Sequence, residues 1–593
     1  MTDVLFGPVL HPSETQFRFW SPLHPHIQLH IDGEKPIDMQ VRGHGWHESV
    51  VPGAGVGTRY SFILPDGLTV PDPASRHQPE DVHGPSEVVD LEAYRWRHPD
   101  WQGRPVEELV VYEMHIGTFT PEGTFRAALE KLDHLADLGV TALQIMPISD
   151  FPGGYNWGYD GVMPYAPDSS YGRPEDLMAL IDAAHERGLC VLLDVVYNHF
   201  GPDGNYLPAY APIFTEHHKT PWGNGINYDG DASKPVREFV IQNAIYWVRN
   251  FRFDGLRLDA VHAIKDDRGE HLLHELARRV REAAGSRHVH LVVENEDNDS
   301  DLLRRDAEGR PVHFTAQWND DIHHVLHIAA TGETFGYYKD YADRLTQKTG
   351  RALAEGFVFQ GEHMDYRGET RGKPSGHLPP TAFISFIQNH DQIGNRALGD
   401  RMITSQPLEA LKAIAAVYLL SPQLPMLFMG EEWGATEPFP FFCDFNEDLN
   451  EKVRIGRRLE LSRLPGFDAD DLPDPTAHGT FESAKLDWSK LSAPKAVDLL
   501  GFYRSLLALR RQHVTPLLAG AGAGGGSGRF EVDGECLFVE WQLSGKRLQL
   551  RANLTAKACR VAQATSGEVL YRLGRMEPVE AAPWSLVWSL ADG

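Results

Sequence analysis

At 593 residues the chain exceeds the size at which one hydrophobic core stops growing, so about two to four domains are expected, and 42% hydrophobic with 10% aromatic residues marks a globular protein. A net charge of −27 argues against nucleic acid or an anionic membrane as the main partner, because both repel such a surface; a neutral ligand escapes that objection. There is no membrane-length apolar run and no basic-then-apolar signal in Met1 to Pro8, and the scattered Cys190, Cys443, Cys536 and Cys559 lack metal or scaffold spacing, so reduced thiols and a cytoplasmic location are expected.

Residues 1–90 carry short alternating runs, Phe17 to Trp20, Ile27 to Ile31 and Tyr60 to Leu64, broken by Gly and Pro, which predict an N-terminal β-sandwich. A Pro-rich polar linker over 91–107 leads to a change of texture near Glu108. From there apolar runs alternate with amphipathic patterns. Strands are expected at Leu109 to His115, Ala142 to Pro147, Cys190 to Val196, Leu256 to Val261, His290 to Val293, Phe314 to Trp318, Ala382 to Ile387 and Met426 to Met429. Between them, Thr124 to Gly139, a stretch opened by Arg173-Pro174-Glu175-Asp176, Pro235 to Phe251 and Leu272 to Ala284 have helical spacing. Eight such repeats predict an α/β fold, a TIM (β/α)8 barrel over 108–500, with an open α/β sheet as the alternative. After Leu500 a helix-like Phe502 to Arg511 and a Gly-rich run, Ala519 to Gly528, precede strands at Cys536 to Gln542, Leu548 to Leu554 and Ser585 to Leu590, an antiparallel β domain over 501–593. The Gly-rich run lacks the lysine and following helix of a phosphate loop and is expected to be a flexible loop.

The polar residues that need an explanation fall at the carboxyl ends of barrel strands, where such barrels gather their chemistry. The third strand runs into Asp194-Val195-Val196-Tyr197-Asn198-His199, the fourth carries Arg257 and Asp259 on one face, the fifth ends in Glu294, and the seventh ends in Asn389-His390-Asp391. Retaining cleavage of a glycosidic bond needs two carboxyl groups about 5–5.5 Å apart. Neighbouring strand ends can place Asp259 and Glu294 so. Beside Arg257 the aspartate is expected to stay ionised while a desolvated Glu294 keeps its proton; Asp391 is a third anion near the developing positive charge, and His199 and His390 are expected donors to the sugar. Tyr159, in the Gly-flanked loop Asn156-Trp157-Gly158-Tyr159-Asp160, is the aromatic expected to stack on that sugar; Trp222, Trp318, Trp433, Phe439, Phe441 and Phe442 follow other strands and read individually as core. Divalent-metal hydrolysis by Asp194, His199, Asp259, Glu294, His390 and Asp391 is the competing account, but no paired-His motif supports it.

These four motifs, in this order, resemble the α-amylase family of glycoside hydrolases, over roughly Glu108 to Leu500. The resemblance implies that Asp259 is the nucleophile, Glu294 the acid/base and Asp391 the transition-state carboxylate, with Arg257, His199, His390 and Tyr159 holding the sugar and Asp194 supporting the barrel. Asn198 matches a position that helps bind calcium in many amylases; no complete cage accompanies it, and neither a metal nor a cofactor is expected. Further stretches, Tyr112 to Phe119, Asn198 to Tyr206, Val293 to Asp297, Gln317 to His324 and Met429 to Gly434, resemble members acting on maltooligosyltrehalose, which implies hydrolysis of the α-1,4 bond next to a terminal trehalosyl unit, releasing trehalose and a maltooligosaccharide. Glycogen branching, a glucan transfer with the same intermediate, is the first alternative; a catalytically dead glycan-binding protein is the second, disfavoured by the intact acids. His262, Asp320, Asp321, Gln392 and Asn395, just beyond the strand ends, are expected to read the leaving disaccharide.

Overall fold

A computed structural model describes residues 6–462, 472–519, 528–561 and 565–593. Eight parallel strands close into a barrel in chain order: Val111–Met114, Ala142–Ile145, Cys190–Val195, Gly255–Leu258, His290–Val293, Ala316–Trp318, Phe383–Ser385 and Leu424–Phe428. All eight lie on or overlap the expected runs, and the first pairs with the last, which removes the open edges that a doubly wound sheet would keep. These strands read as continuous apolar runs because parallel strands are covered on both faces; every residue from Val111 to Met114 and from Cys190 to Val195 is buried.

The helices follow from the same patterning. Pro174–Glu186 starts with proline in its first turn, and Leu177, Leu180, Ile181 and Ala184 are buried along one stripe. The expected helix over Thr124 to Gly139 forms as two pieces, Phe125–Leu129 and Leu132–Leu138, and Gly139 closes the second at φ +101°, a conformation that costs glycine nothing. Ser233–Arg249 and Leu272–Ala284 pack beside each other outside the third and fourth strands.

Before the barrel, a four-stranded sheet including Glu14–Trp20 and Trp46–Pro52 accompanies a second sheet built on Gln28–Ile31 and Arg59–Ile63. Phe19 stacks on Phe62 at 4.2 Å and touches Tyr210, while Arg76 lies over Tyr165 and Tyr246, so this unit shares its core with the barrel wall. At the other end, Leu500 falls inside the helix Pro494–Leu509, so the expected boundary there cuts an element; the apolar positions Leu499, Leu500, Leu506 and Leu507 run through it as one buried set. A five-stranded antiparallel sheet follows, from Gly528–Asp533 to Ser585–Asp592. The central part of the glycine-rich run, 520–527, and residues 1–5 lie outside the described residues. Among those described, no helix is long and apolar enough to cross a membrane.

Candidate active site

Parallel register builds the centre of the site. Asp194 pairs with Arg257 across the third and fourth strands, and Leu258 pairs with Val293 across the fourth and fifth, so Asp259 and Glu294 leave the sheet side by side. Adjacent strands stand about 4.8 Å apart, and one guanidinium reaches both carboxylates, so the two face one site as the retaining pair must. Arg257 is fully buried and its Nη1 donates to both oxygens of Asp194, at 3.0 and 2.8 Å, and to Asp259 Oδ1 at 2.8 Å, while Nη2 donates to Glu294 Oε2 at 2.9 Å. The guanidinium lies 4.1 Å over the ring of Trp318. A buried cation needs such compensation, and here three carboxylates and an aromatic face supply it.

The chain turns sharply immediately beyond Asp259. Ala260 sits at φ +39°, and this turn aims its N–H at Glu294 Oε2, 2.9 Å away. A non-glycine residue in that region is a local strain held by its surroundings. Asn198 Nδ2 donates to Asp259 Oδ2 and to the Asp259 carbonyl, both at 2.8 Å. Asn198 is thus spent on orienting the aspartate. The expected separation of the two acids by proximity to Arg257 is corrected: one guanidinium grips both. What distinguishes them is surroundings, since the Asp259 side chain is 11% exposed and pinned by Asn198, whereas Glu294 is 21% exposed at the mouth.

On the opposite wall, His390 opens the short helix His390–Gly394, capped by the Asn389 side chain. Its Nδ1 lies 2.7 Å from Glu113 Oε1 and its Nε2 3.3 Å from Asp391 Oδ2, and its backbone N–H donates to Glu113 Oε2 at 3.0 Å. Burial alone would depress the imidazole; Asp391 and Glu113 outweigh it and raise the pKa to about 9, so the ring is a cation at neutral pH. Glu113 was not expected. Its signal was an acid within the otherwise apolar first strand, Val111-Tyr112-Glu113-Met114, where a charge must have a buried partner. Asp391 itself is more open, at 37% side-chain exposure.

Tyr159 stacks on His390 at 5.1 Å between ring centres and donates its hydroxyl to Asp194 Oδ2 at 2.8 Å. Asp194 is pushed up to about 7, chiefly by burial, against the opposing pull of Arg257. His199 departs from expectation: its Nε2 faces the Tyr159 carbonyl at 2.9 Å, its Nδ1 is bonded to Asn198 Oδ1, and its ring is covered by Trp222 at 4.6 Å, so its nitrogens hold the loop rather than a sugar. Trp222 is the large aromatic exposed there, at 51%. Trp318, Trp433, Phe439 and Phe442 are buried, as core aromatics are.

The outer residues divide. Asp320 is brought toward the acids: burial first, then Glu294 and Asp391, push it up to about 8 despite Arg371. Asp321, one residue on along the same helix, points the other way and is corrected. Its buried carboxylate accepts from Arg371 at 2.7 Å, Val358 N at 2.6 Å, Phe359 N at 3.2 Å and Asn298 Nδ2 at 3.1 Å, as well as the Tyr341 hydroxyl, and has no free face for a ligand. Adjacent helical positions differ by about 100°. His262 lies beside the Glu296 carboxylate, at 3.5 Å, on the turn after the fourth strand. Gln392 accepts from the Tyr337 hydroxyl at 3.3 Å, and Asn395 is exposed and held by Arg457 at 3.2 Å, farther along the same wall.

Comparison with known proteins supports a common origin for this arrangement. The family model "Alpha amylase, catalytic domain" matches residues 86–211. The malto-oligosyltrehalose trehalohydrolase of Deinococcus radiodurans is 44% identical over 501 residues, covering 84% of this chain and 81% of that one. A crystal structure described as a putative alpha amylase from Salmonella typhimurium superposes with a TM-score of 0.95 at 46% identity, covering 99% of both chains. The 1,4-alpha-glucan branching enzyme of Aliivibrio fischeri is 34% identical over 254 residues, only 39% of this chain and 35% of its own.

Proposed function

The chain belongs to the malto-oligosyltrehalose trehalohydrolases of the α-amylase family, and on that premise we propose how its residues carry the reaction. It is a retaining glycoside hydrolase that cleaves the α-1,4-glucosidic bond next to the terminal trehalosyl unit of maltooligosyltrehalose, releasing trehalose and a maltooligosaccharide. The observation that carries the mechanism is the bridging of Asp259 and Glu294 by one buried guanidinium.

In the first step Asp259 attacks the anomeric carbon of the glucosyl unit, the bond to the trehalosyl oxygen breaks, and Glu294 gives that oxygen its proton. Trehalose leaves and a glycosyl ester remains on Asp259. Glu294, now a carboxylate, then takes a proton from water, whose oxygen attacks the same carbon and restores Asp259. As Asp259 becomes an ester it loses its charge, and Arg257 still faces Asp194 and Glu294, so the cation is never orphaned. Asp391 stabilises the oxocarbenium-like charge, and charged His390 fixes its position. Tyr159 offers its ring face to the sugar, and Asp320, His262, Gln392 and Asn395 border the leaving side.

Branching is the weaker reading, as the shorter match to such an enzyme indicates. Incubation with maltotriosyltrehalose and, separately, with amylose, followed by product separation, distinguishes the two. Release of trehalose is expected; new α-1,6 branches in amylose without trehalose would overturn hydrolysis. We further assign residues 1–90 to an N-terminal sandwich, 91–107 to a linker and the barrel to 108 through the helix Pro494–Leu509, with the β domain beyond. Four free cysteines support a reducing, cytoplasmic setting.

A further inference from the structure

We propose that the hairpin bordering the cleft carries a binding site for a divalent transition metal ion of the zinc class, formed by His217, His218 and Asp267. The hairpin pairs Phe214–Thr220 with Gly223–Ile226, and its register shifts between Thr215 and Lys219. In a regular strand consecutive side chains point to opposite faces. The bulge instead brings the rings of His217 and His218 onto one side, 4.4 Å apart between centres.

Both rings meet carboxylates from outside the strand. His217 Nε2 is 3.2 Å from Asp267 Oδ2, His218 Nε2 is 3.9 Å from the same oxygen, and one ligand atom of each of these three residues lies within 4.8 Å of the others. Bonds of about 2.0–2.1 Å in a tetrahedron separate ligand atoms by about 3.3–3.4 Å, so two of these spacings already bracket the required edge. Asp229 Oδ2 lies 2.6 Å from His218 Nε2 and accepts the Asp267 N–H at 2.9 Å, so it braces two of the ligand residues from outside the ligand set and leaves the fourth position to water. Two imidazoles and one carboxylate match the ligand preferences of zinc-class ions. Binding exchanges the contact of His218 with Asp229 for a bond to the ion, and any proton on that imidazole nitrogen passes to water.

The site joins two separate elements: the hairpin, which carries Trp222 over His199, and the loop after the fourth strand, which carries Asp267. A bound ion would tie the hairpin to the loop after the strand that bears the nucleophile Asp259 and steady Trp222 at the cleft wall.

The test uses full-length protein stripped with chelator and titrated with zinc chloride by calorimetry, beside Asp267→Asn and the double variant His217→Ala/His218→Ala. Asp267 is 73% exposed at its side chain, so Asp267→Asn leaves the fold intact. One equivalent is expected to bind the wild type at least about tenfold more tightly than Asp267→Asn, with loss of that equivalent in the double variant. Tryptic cleavage after Lys219 is expected to slow on zinc addition in the wild type alone. Equal affinity in all three proteins, or no zinc binding to the wild type, would overturn the proposal.

Discussion

Glu294→Gln keeps a hydrogen-bond acceptor for Arg257 and for the Ala260 N–H but removes the proton that the departing trehalosyl oxygen needs. General acid catalysis is worth about 10²–10⁴ in rate, so kcat on maltotriosyltrehalose should fall by that factor with little change in melting temperature. A variant retaining near-wild-type kcat would remove Glu294 from the reaction. Glu113→Gln tests a positioning residue. His390 is raised to about 9 with help from Glu113, and without that carboxylate its pKa should fall toward the ordinary value near 6.5. The alkaline limb of kcat/KM should therefore move to lower pH, and an unmoved limb would show that the charge on His390 is not used. The sign for stability follows: a raised imidazole pKa contributes stability fully present below about pH 6.5 and lost as pH rises through about 9. Glu113→Gln should lose more stability at pH 6 than at pH 10. At this scale the three acids proposed as catalytic could be picked out because charged residues end buried strands, whereas Glu113 hid within a strand and Asp321 could not be told from Asp320 without the helical phase.

Elements were more legible than their ends. All eight barrel strands could be read from apolar runs, since burial on both faces leaves a continuous signal. The sharp turn at Ala260 could not, because a positive φ at alanine is imposed by its surroundings rather than by its own preference. Nor could the bulge in Phe214–Thr220, where polar residues give no alternation to break. The helix through Leu500 was missed as one unit because its buried stripe continues across the expected boundary. The terminal sheet is anchored to the barrel by Trp588, 1% exposed, whose Nε1 donates to the Ala416 carbonyl at 3.0 Å and whose ring stacks on Trp541 at 5.6 Å. Trp588→Ala should cost about 3–5 kcal/mol, read as a lowered melting temperature, with hydrolysis per folded molecule unchanged at 25 °C. Unchanged melting would mean that this contact adds nothing to the union of the two units.

For the whole molecule, the net charge of −27 meets a neutral substrate. Screening removes long-range steering only where both partners are charged, so kcat/KM should vary by less than about twofold between low and physiological salt; a steep salt dependence would point to a charged substrate. The central claim joins two statements: the bond cut is the one next to trehalose, and it is cut through a glycosyl ester on Asp259. Proton NMR of maltotriosyltrehalose during digestion tests both at once. Trehalose together with the α-anomer of maltotriose should appear first, the β-anomer following only by mutarotation. Early β-maltotriose, or cleavage that yields no trehalose, would contradict the account.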